Sequence, residues 1–216
     1  MITVQSPYLV FDPLSHLYLW EGARQSSATE ILGTTGIKKN GRFVALADGE
    51  YFRNNEDARV FGTSFHAIVA GILRGQNVSF PNEIAPYIDQ WGRWRERRSG
   101  YNLLRDENGE AIVEYPLFSE RLGYAGTVDA VFISDSKLLI VDWKTTVVEM
   151  EYWRYQTAAY ERLLQEVFPG IVRTCTAVTR EAVRFHDAGF ESVRRERNPE
   201  DWIVFQSALN LRKALL

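Results

Sequence analysis

The alternation of apolar and polar positions is clearest from Gly123 to Thr146, GYAGTVDAVFISDSKLLIVDWKTT. Two runs rich in Val, Ile, Leu and Phe flank Ser134-Asp135-Ser136-Lys137, a polar patch able to turn, and together they predict a β-hairpin. Centring the turn on Asp135-Ser136 pairs Phe132 with Leu139, Ala130 with Val141 and Val128 with Trp143, which makes one face wholly apolar. The same register sets Asp129 opposite Asp142 and Thr127 opposite Lys144 on the other face. A slip by one residue would bury the charges, so the pattern itself selects the register. Directly opposed side chains in a sheet lie ~5 Å apart at Cβ. Two carboxylates at that distance repel by roughly 3 kcal/mol at an effective dielectric of ~20. Lys144 bridging the acids in a charge-balanced cluster is one way to offset this. The other is a divalent cation held by hard oxygen ligands, with the lysine beside an attacking water.

Elsewhere the pattern predicts elements on either side of this hairpin. Tyr8 to Trp20 reads as two short strands around Asp12-Pro13, with His16 an exposed residue near the turn. Ser27-Ala28-Thr29-Glu30 has the form of a capping box and predicts a short helix ended by Gly33 and Gly36. Lys38 to Asn55 is polar and reads as a loop. Glu56 to Leu73 predicts a helix with Phe61, Phe65, Ile68, Val69 and Ile72 as its apolar stripe. Arg59, Thr63 and His66 share a second face beside the small residues Gly62 and Ala70, which leaves room for something to approach.

Glu83 to Ser99 predicts a second helix, with Arg93 and Arg97 on one face and Trp91 and Trp94 on another. Such a helix could track a phosphate backbone and offer a stacking surface, or hold two core tryptophans under a solvated basic face. Tyr101 to Leu104 and Ala111 to Phe118 read as strands joined at Asp106-Glu107-Asn108-Gly109, with Glu114 in the second. After the hairpin, Glu149 to Val167 predicts a helix with Trp153, Gln156, Tyr160, Leu163 and Val167 along an inward stripe. The amide of Gln156 needs a partner there, either backbone or a ligand. Pro169-Gly170 breaks the helix, and Val172 to Val178 and Ala182 to His186 read as closing strands, with Cys175 a small core residue and His186 at the surface. Asn198-Pro199-Glu200-Asp201 starts a last helix with Trp202, Phe205 and Leu209 inward.

Composition narrows the function classes. The 216 residues suit a single domain, with 1–55 as hairpin, short helix and loop and 56–216 as the core. A hydrophobic share of 45% supports a full core. The formal charge of −3 argues against coating nucleic acid by bulk electrostatics, so phosphate contacts must come from local patches. One cysteine excludes internal disulfides and multi-cysteine zinc or iron–sulfur sites. No apolar run reaches spanning length and no signal-peptide pattern opens the chain, so a cytoplasmic protein away from membranes is expected.

Gly126-Thr127-Val128-Asp129, Asp142-Trp143-Lys144-Thr145, Gln156-x-x-x-Tyr160 and the upstream Gly62-Thr63-x-x-His66 resemble the motifs of PD-(D/E)XK nucleases, most closely the RecB-like branch. The order is kept from His66 to Tyr160, and the first 32 residues look like small phage-encoded members and relatives of the mitochondrial genome maintenance exonuclease. The resemblance implies an α/β fold, a central mixed sheet flanked by helices with a restriction-endonuclease-like core. It also implies metal-dependent DNA hydrolysis by an exonuclease that leaves 5′-phosphates, acting in recombination, repair or replication in the cytoplasm, of a host cell if the chain is phage-encoded. Asp129 and Asp142 would ligate one or two Mg²⁺ or Mn²⁺ ions with the Trp143 carbonyl and His66, and Glu114 through water. Lys144 would orient or deprotonate the attacking water. Gln156 and Tyr160 would position the strand, with Arg59, Arg93 and Arg97 as outer DNA contacts.

Two departures matter. Many relatives carry a four-cysteine iron–sulfur cluster that this chain cannot build, and without a GxxxxGK[ST] loop any helicase would be a separate partner. A recombinase or single-strand-binding protein is a further expected partner. A non-catalytic DNA-binding or assembly module and a sequence-specific endonuclease are the alternative readings.

Overall fold

The computed structural model describes residues 3–4, 8–13, 15–34, 55–146, 150–196 and 198–216. The loop read from Lys38 onward lies outside the described residues as far as position 54, as does Gly36. In chain order the strands are β1 (Thr3–Val4), β2 (Leu9–Asp12), β3 (Leu17–Trp20), β4 (Ala23–Gln25), β5 (Asn102–Leu103), β6 (Val113–Ser119), β7 (Tyr124–Ser134), β8 (Lys137–Lys144), β9 (Ala177–His186) and β10 (Gly189–Glu196). The helices are α1 (Ala28–Thr34), α2 (Asn55–Leu73), α3 (Ala85–Glu96), α4 (Tyr152–Val167), α5 (Pro169–Thr174) and α6 (Pro199–Ala214).

The predicted hairpin is β7 and β8, at the middle of the main sheet. Its pairs are Ala130 with Val141, Phe132 with Leu139 and Ser134 with Lys137, as the alternation predicts. Asp135 turns the chain with φ at +50°, a left-handed conformation that Asp tolerates better than most residues. The sheet runs β10-β9-β8-β7-β5, with β6 also paired to β7. Only β8 and β9 are parallel, so the sheet is mixed. That parallel step needs a crossover, and α4 and α5 supply it.

Helices cover both faces, which makes the fold the α/β arrangement expected. On one face Val131, Leu138 and Ile140 pack with Ile31, Leu163 and Phe205 from α1, α4 and α6. On the other, Phe132, Leu139 and Trp143 pack with Phe65 of α2 and with Trp91 and Trp94 of α3. The two α3 tryptophans are therefore core residues and offer no stacking surface. The N-terminal segment forms more than two strands: β1 to β4 make a separate antiparallel sheet, in which Trp20 stacks on Phe118 of β6 at 4.7 Å. A bridge from Ser27 to Ala125 ties this sheet to the start of β7.

Two expectations are corrected. Val172 to Val178 is not one strand: Pro169 opens α5, which runs to Thr174, and β9 begins at Ala177. A proline that ends one helix also suits the first turn of the next, where its missing N–H leaves nothing unpaired. Val128 does not share the face of Trp143; it packs in the α4 cluster while Trp143 packs against α2 and α3.

The strand β9 carries two adjacent buried charges on opposite faces. Arg180 donates to Asp201 Oδ2 at 2.7 Å and to the Arg154 carbonyl at 2.9 Å, and Arg154 donates to Asp201 Oδ1 at 2.6 Å. Glu181 accepts from Trp94 Nε1 at 3.0 Å, Arg98 at 2.7 Å and Ser192 at 2.6 Å. Each pair pins a helix layer to the sheet. Removing one partner of a buried pair strands the other charge. Asp201→Ala is thus expected to lose about 3–5 kcal/mol in a denaturant titration, whereas Glu200→Ala at the exposed next position should change stability by less than about 1 kcal/mol.

Candidate active site

The site forms where the hairpin ladder ends. Past Ala130 and Val141 the two strands part, and Asp129 Oδ2 accepts the Trp143 backbone N–H at 2.6 Å instead of meeting Asp142 in a ladder pair. Asp142 and Lys144 follow Leu138 and Ile140 on the face covered by α4. The lysine Nζ lies 2.9 Å from Asp142 Oδ1 and 2.7 Å from Oδ2. Both acids are deep, with Asp129 5% and Asp142 1% exposed.

Glu114 enters from β6. It adopts φ of +44° between Val113, which packs toward α2 and α3, and Tyr115, which packs toward α4. The ladder pairs Val113 with Ala130 and Tyr115 with Val128, so the regular alternation breaks at Glu114 and at the facing Asp129 together. This kink turns the Glu114 carboxylate toward His66 of α2, whose Nδ1 lies 3.0 Å from Glu114 Oε1 and 3.5 Å from Asp129 Oδ1. The other ring nitrogen, Nε2, lies 3.0 Å from the Trp143 carbonyl oxygen. One donor atom from each of His66, Glu114 and Asp129 lies within 4.8 Å of the other two.

The far wall comes from α4. Gln156 Oε1 accepts from Lys144 Nζ at 3.3 Å, and Gln156 Nε2 donates to Tyr160 Oη at 2.6 Å and Thr29 Oγ1 at 3.3 Å. The buried amide is thus held by side chains, where the sequence left backbone and ligand as the alternatives. Gly126 explains how α4 comes so close: a Cβ there would sit 2.8 Å from Tyr160 Cε1. Tyr18 of β3 shares a 2.6 Å hydrogen bond with Thr127 Oγ1 and closes the wall opposite.

These groups line one cavity of about 620 Å³. It brings together His66, Glu114, Asp129, Asp142, Lys144, Gln156 and Tyr160 of the sequence-derived set. Trp143 contributes its backbone only. Arg59, Arg93 and Arg97 do not line it, and Arg97 instead lies over the Phe190 ring at 4.7 Å. Tyr18 and Thr29 were missed by motif reading, although Tyr18 sits on the inward face of a strand that alternates from Leu17 to Trp20.

Charge in the cavity is held against burial. Desolvation, with Asp142 and Glu114 adding to it and His66 opposing, pushes the Asp129 carboxyl up to about 8. Burial alone would lower His66, but Asp129 and Glu114 push it up to about 9. Burial likewise works against the Lys144 ammonium, yet Asp142, Tyr152 and Asp129 hold its pKa above the ordinary lysine value. His66 and Asp129 are thus both shifted toward keeping their protons past neutral pH.

Among the described residues, no helix is long and apolar enough to cross a membrane. No family profile and no curated protein matches the chain. Among solved structures it is similar to LHK-Exo in complex with dAMP, at 10% identity over 88% of this chain and 86% of that one, with a TM-score of 0.31. It is also similar to an alkaline exonuclease (LHK-Exo) from Laribacter hongkongensis, at 12% identity over 69% and 76% of the two chains, with a TM-score of 0.29. A likeness this slight carries no weight for function.

Proposed function

We propose that this chain is a Mg²⁺- or Mn²⁺-dependent deoxyribonuclease, working as an exonuclease that leaves 5′-phosphates. The observation that carries the hydrolytic reading is the convergence of Asp129, Asp142, Glu114, His66 and Lys144 on one cavity. The choice of DNA, of exonuclease mode and of a role in recombination, repair or replication rests on the motif resemblance.

The donor set fits a hard divalent cation. Asp129, Glu114 and His66 bring two carboxylates and an imidazole within 4.8 Å, a mix that suits Mg²⁺ or Mn²⁺. Asp142 and the Trp143 carbonyl stand next to them as further oxygen donors. When bound, the ion would polarise the phosphate and stabilise the leaving oxygen.

The chain's own groups do the rest. Asp142, Tyr152 and Asp129 hold the Lys144 pKa above the ordinary lysine value in the metal-free cavity, and Lys144 would orient the attacking water and stabilise negative charge building on phosphorus. Asp142 and Gln156 fix its position from two sides. Tyr160 in turn fixes Gln156, so the Gln-x-x-x-Tyr pair acts on the lysine as well as facing the cavity.

Protons and cation compete for the same atoms. Asp129 is raised from 3.8 to about 8, so the folded state keeps a proton that the unfolded chain releases, and stability falls as pH rises through that window. His66, raised from 6.5 to about 9, adds stability that is complete below 6.5 and lost as pH rises through 9. Between pH 6.5 and 8 both act in the same direction. A cation must displace these protons, so its affinity rises over the same range.

Three outcomes are expected. In EDTA, the Tm of the parent falls from pH 6.5 to 9, and Asp129→Asn flattens that fall; parallel curves would refute the assignment. Mn²⁺ at about 100 times its pH 8 Kd adds about 2.7 kcal/mol to the parent at pH 8, less at pH 6.5 at the same concentration, and adds nothing to Asp129→Asn. With end-labelled oligonucleotides and Mn²⁺, Lys144→Ala cleaves about 10²–10³-fold more slowly than the parent, while a closed circular DNA is spared by both. Equal cleavage by Lys144→Ala would remove its role, and cutting of the circle would convert the exonuclease to an endonuclease.

A further inference from the structure

A second cavity of about 430 Å³ lies on the other side of the His66–Glu114 pair, between α2 and the turn that joins β2 to β3. His16, His66 and Glu114 line both cavities, so the two meet at the cation-binding cluster. Both volumes fall within the ~300–1,000 Å³ in which proteins seat small ligands. A monomeric substrate needs one such pocket. A polymer needs room on both sides of the reacting phosphate, for the nucleotide released on one side and the remaining strand on the other.

The second chamber is shaped for a backbone. Its floor is one face of α2, where Gly62, Thr63, Ala67 and Ala70 recur at helical spacing and present little side-chain bulk. At its end stands Arg74, which donates to the Val113 carbonyl at 2.6 Å, next to the kinked Glu114. Its roof is the β2–β3 turn, which holds His16 at φ of +50° with its ring edge toward Phe11. The His16 ring has no hydrogen-bond partner among the described residues. Arg74 brings positive charge to the same chamber that Glu114 and His66 line.

We propose that the DNA strand runs through both chambers, past the cluster and along the Gly62–Ala70 face of α2, with Arg74 pairing a phosphate beyond the one that reacts and His16 overhanging the junction. This rests on the nuclease reading and adds the path of the strand, which places α2 rather than the arginines of α3 against the backbone.

The test uses two variants of the full chain and a fluorescent oligonucleotide, with Ca²⁺ replacing Mn²⁺ so that affinity is read without turnover. Ala67 is exposed on the chamber floor, and Ala67→Phe fills the chamber without entering the core. It is expected to raise Kd at least tenfold, while Tm and the Mn²⁺-induced rise in Tm stay as in the parent. Arg74→Gln is expected to reduce the slope of log K against log salt by about 0.7 for a single strand or about 0.9 for a duplex, and Arg74→Lys to restore it. A merely structural role for Arg74 would lower Tm without moving that slope. If the parent binds DNA and both variants match its Kd and salt slope, the proposed path is wrong while the nuclease reading stands. If the parent neither binds nor cleaves DNA with any cation, the reading fails and the path with it.

Discussion

Burial of like charge is the constraint on which this structure turns. Asp129 and Asp142 sit almost wholly out of water, and Glu114 faces Asp129 across the β6–β7 ladder. An ionised carboxylate in such a place costs several kcal/mol unless something answers its charge. The surrounding groups answer only in part. Lys144 is committed to Asp142, His66 to Glu114 and Asp129, and the Trp143 N–H to Asp129. The remaining deficit appears as a carboxyl that holds its proton to about 8.

The fold creates that deficit deliberately in one place. Both faces of the sheet are packed with apolar side chains, so charge survives only where it is fully paired, as at Arg180 and Glu181, or where the layers open. The opening is made by three local devices. The β7 and β8 strands part beyond Ala130, the left-handed kink at Glu114 swings a third carboxylate inward, and Gly126 lets α4 bring Gln156 and Tyr160 over the gap. A non-glycine residue at positive φ in a strand stores strain that the surrounding packing must sustain, a pattern that concentrates at functional sites.

The register of the hairpin was legible because a period of two leaves one way to bury Phe132, Leu139 and Val141 together. His66 was legible because helical spacing put it beside Gly62 and Thr63, away from the Phe65 stripe. Glu114 was visible only as an acid between apolar neighbours. Nothing in Val113-Glu114-Tyr115 announces a left-handed residue, since no glycine marks it, and the displaced face of Val128 follows from that kink. Asp201 read as an ordinary first-turn acid, because its partners Arg154 and Arg180 lie 47 and 21 residues away. The tryptophans of α3 were open to two readings because spacing tells which residues share a face but not what covers that face.

Charge counting favours the proposed cation site over a pure ion-pair cluster. As a pure ion-pair cluster, three carboxylates would face one ammonium and at most one imidazolium, and the cluster stays negative even with His66 charged. Burial first, and the charges of Asp142 and Glu114 after it, push the Asp129 carboxyl up to about 8. With His66 neutral, as a metal-bound imidazole must be, Lys144 and one divalent cation together match the three carboxylates. A second cation would overcharge the cavity until an anion arrives, and a phosphodiester gaining negative charge at phosphorus supplies that anion. Under the proposed function one ion would balance the resting site, and a second would become favourable only with the strand in place.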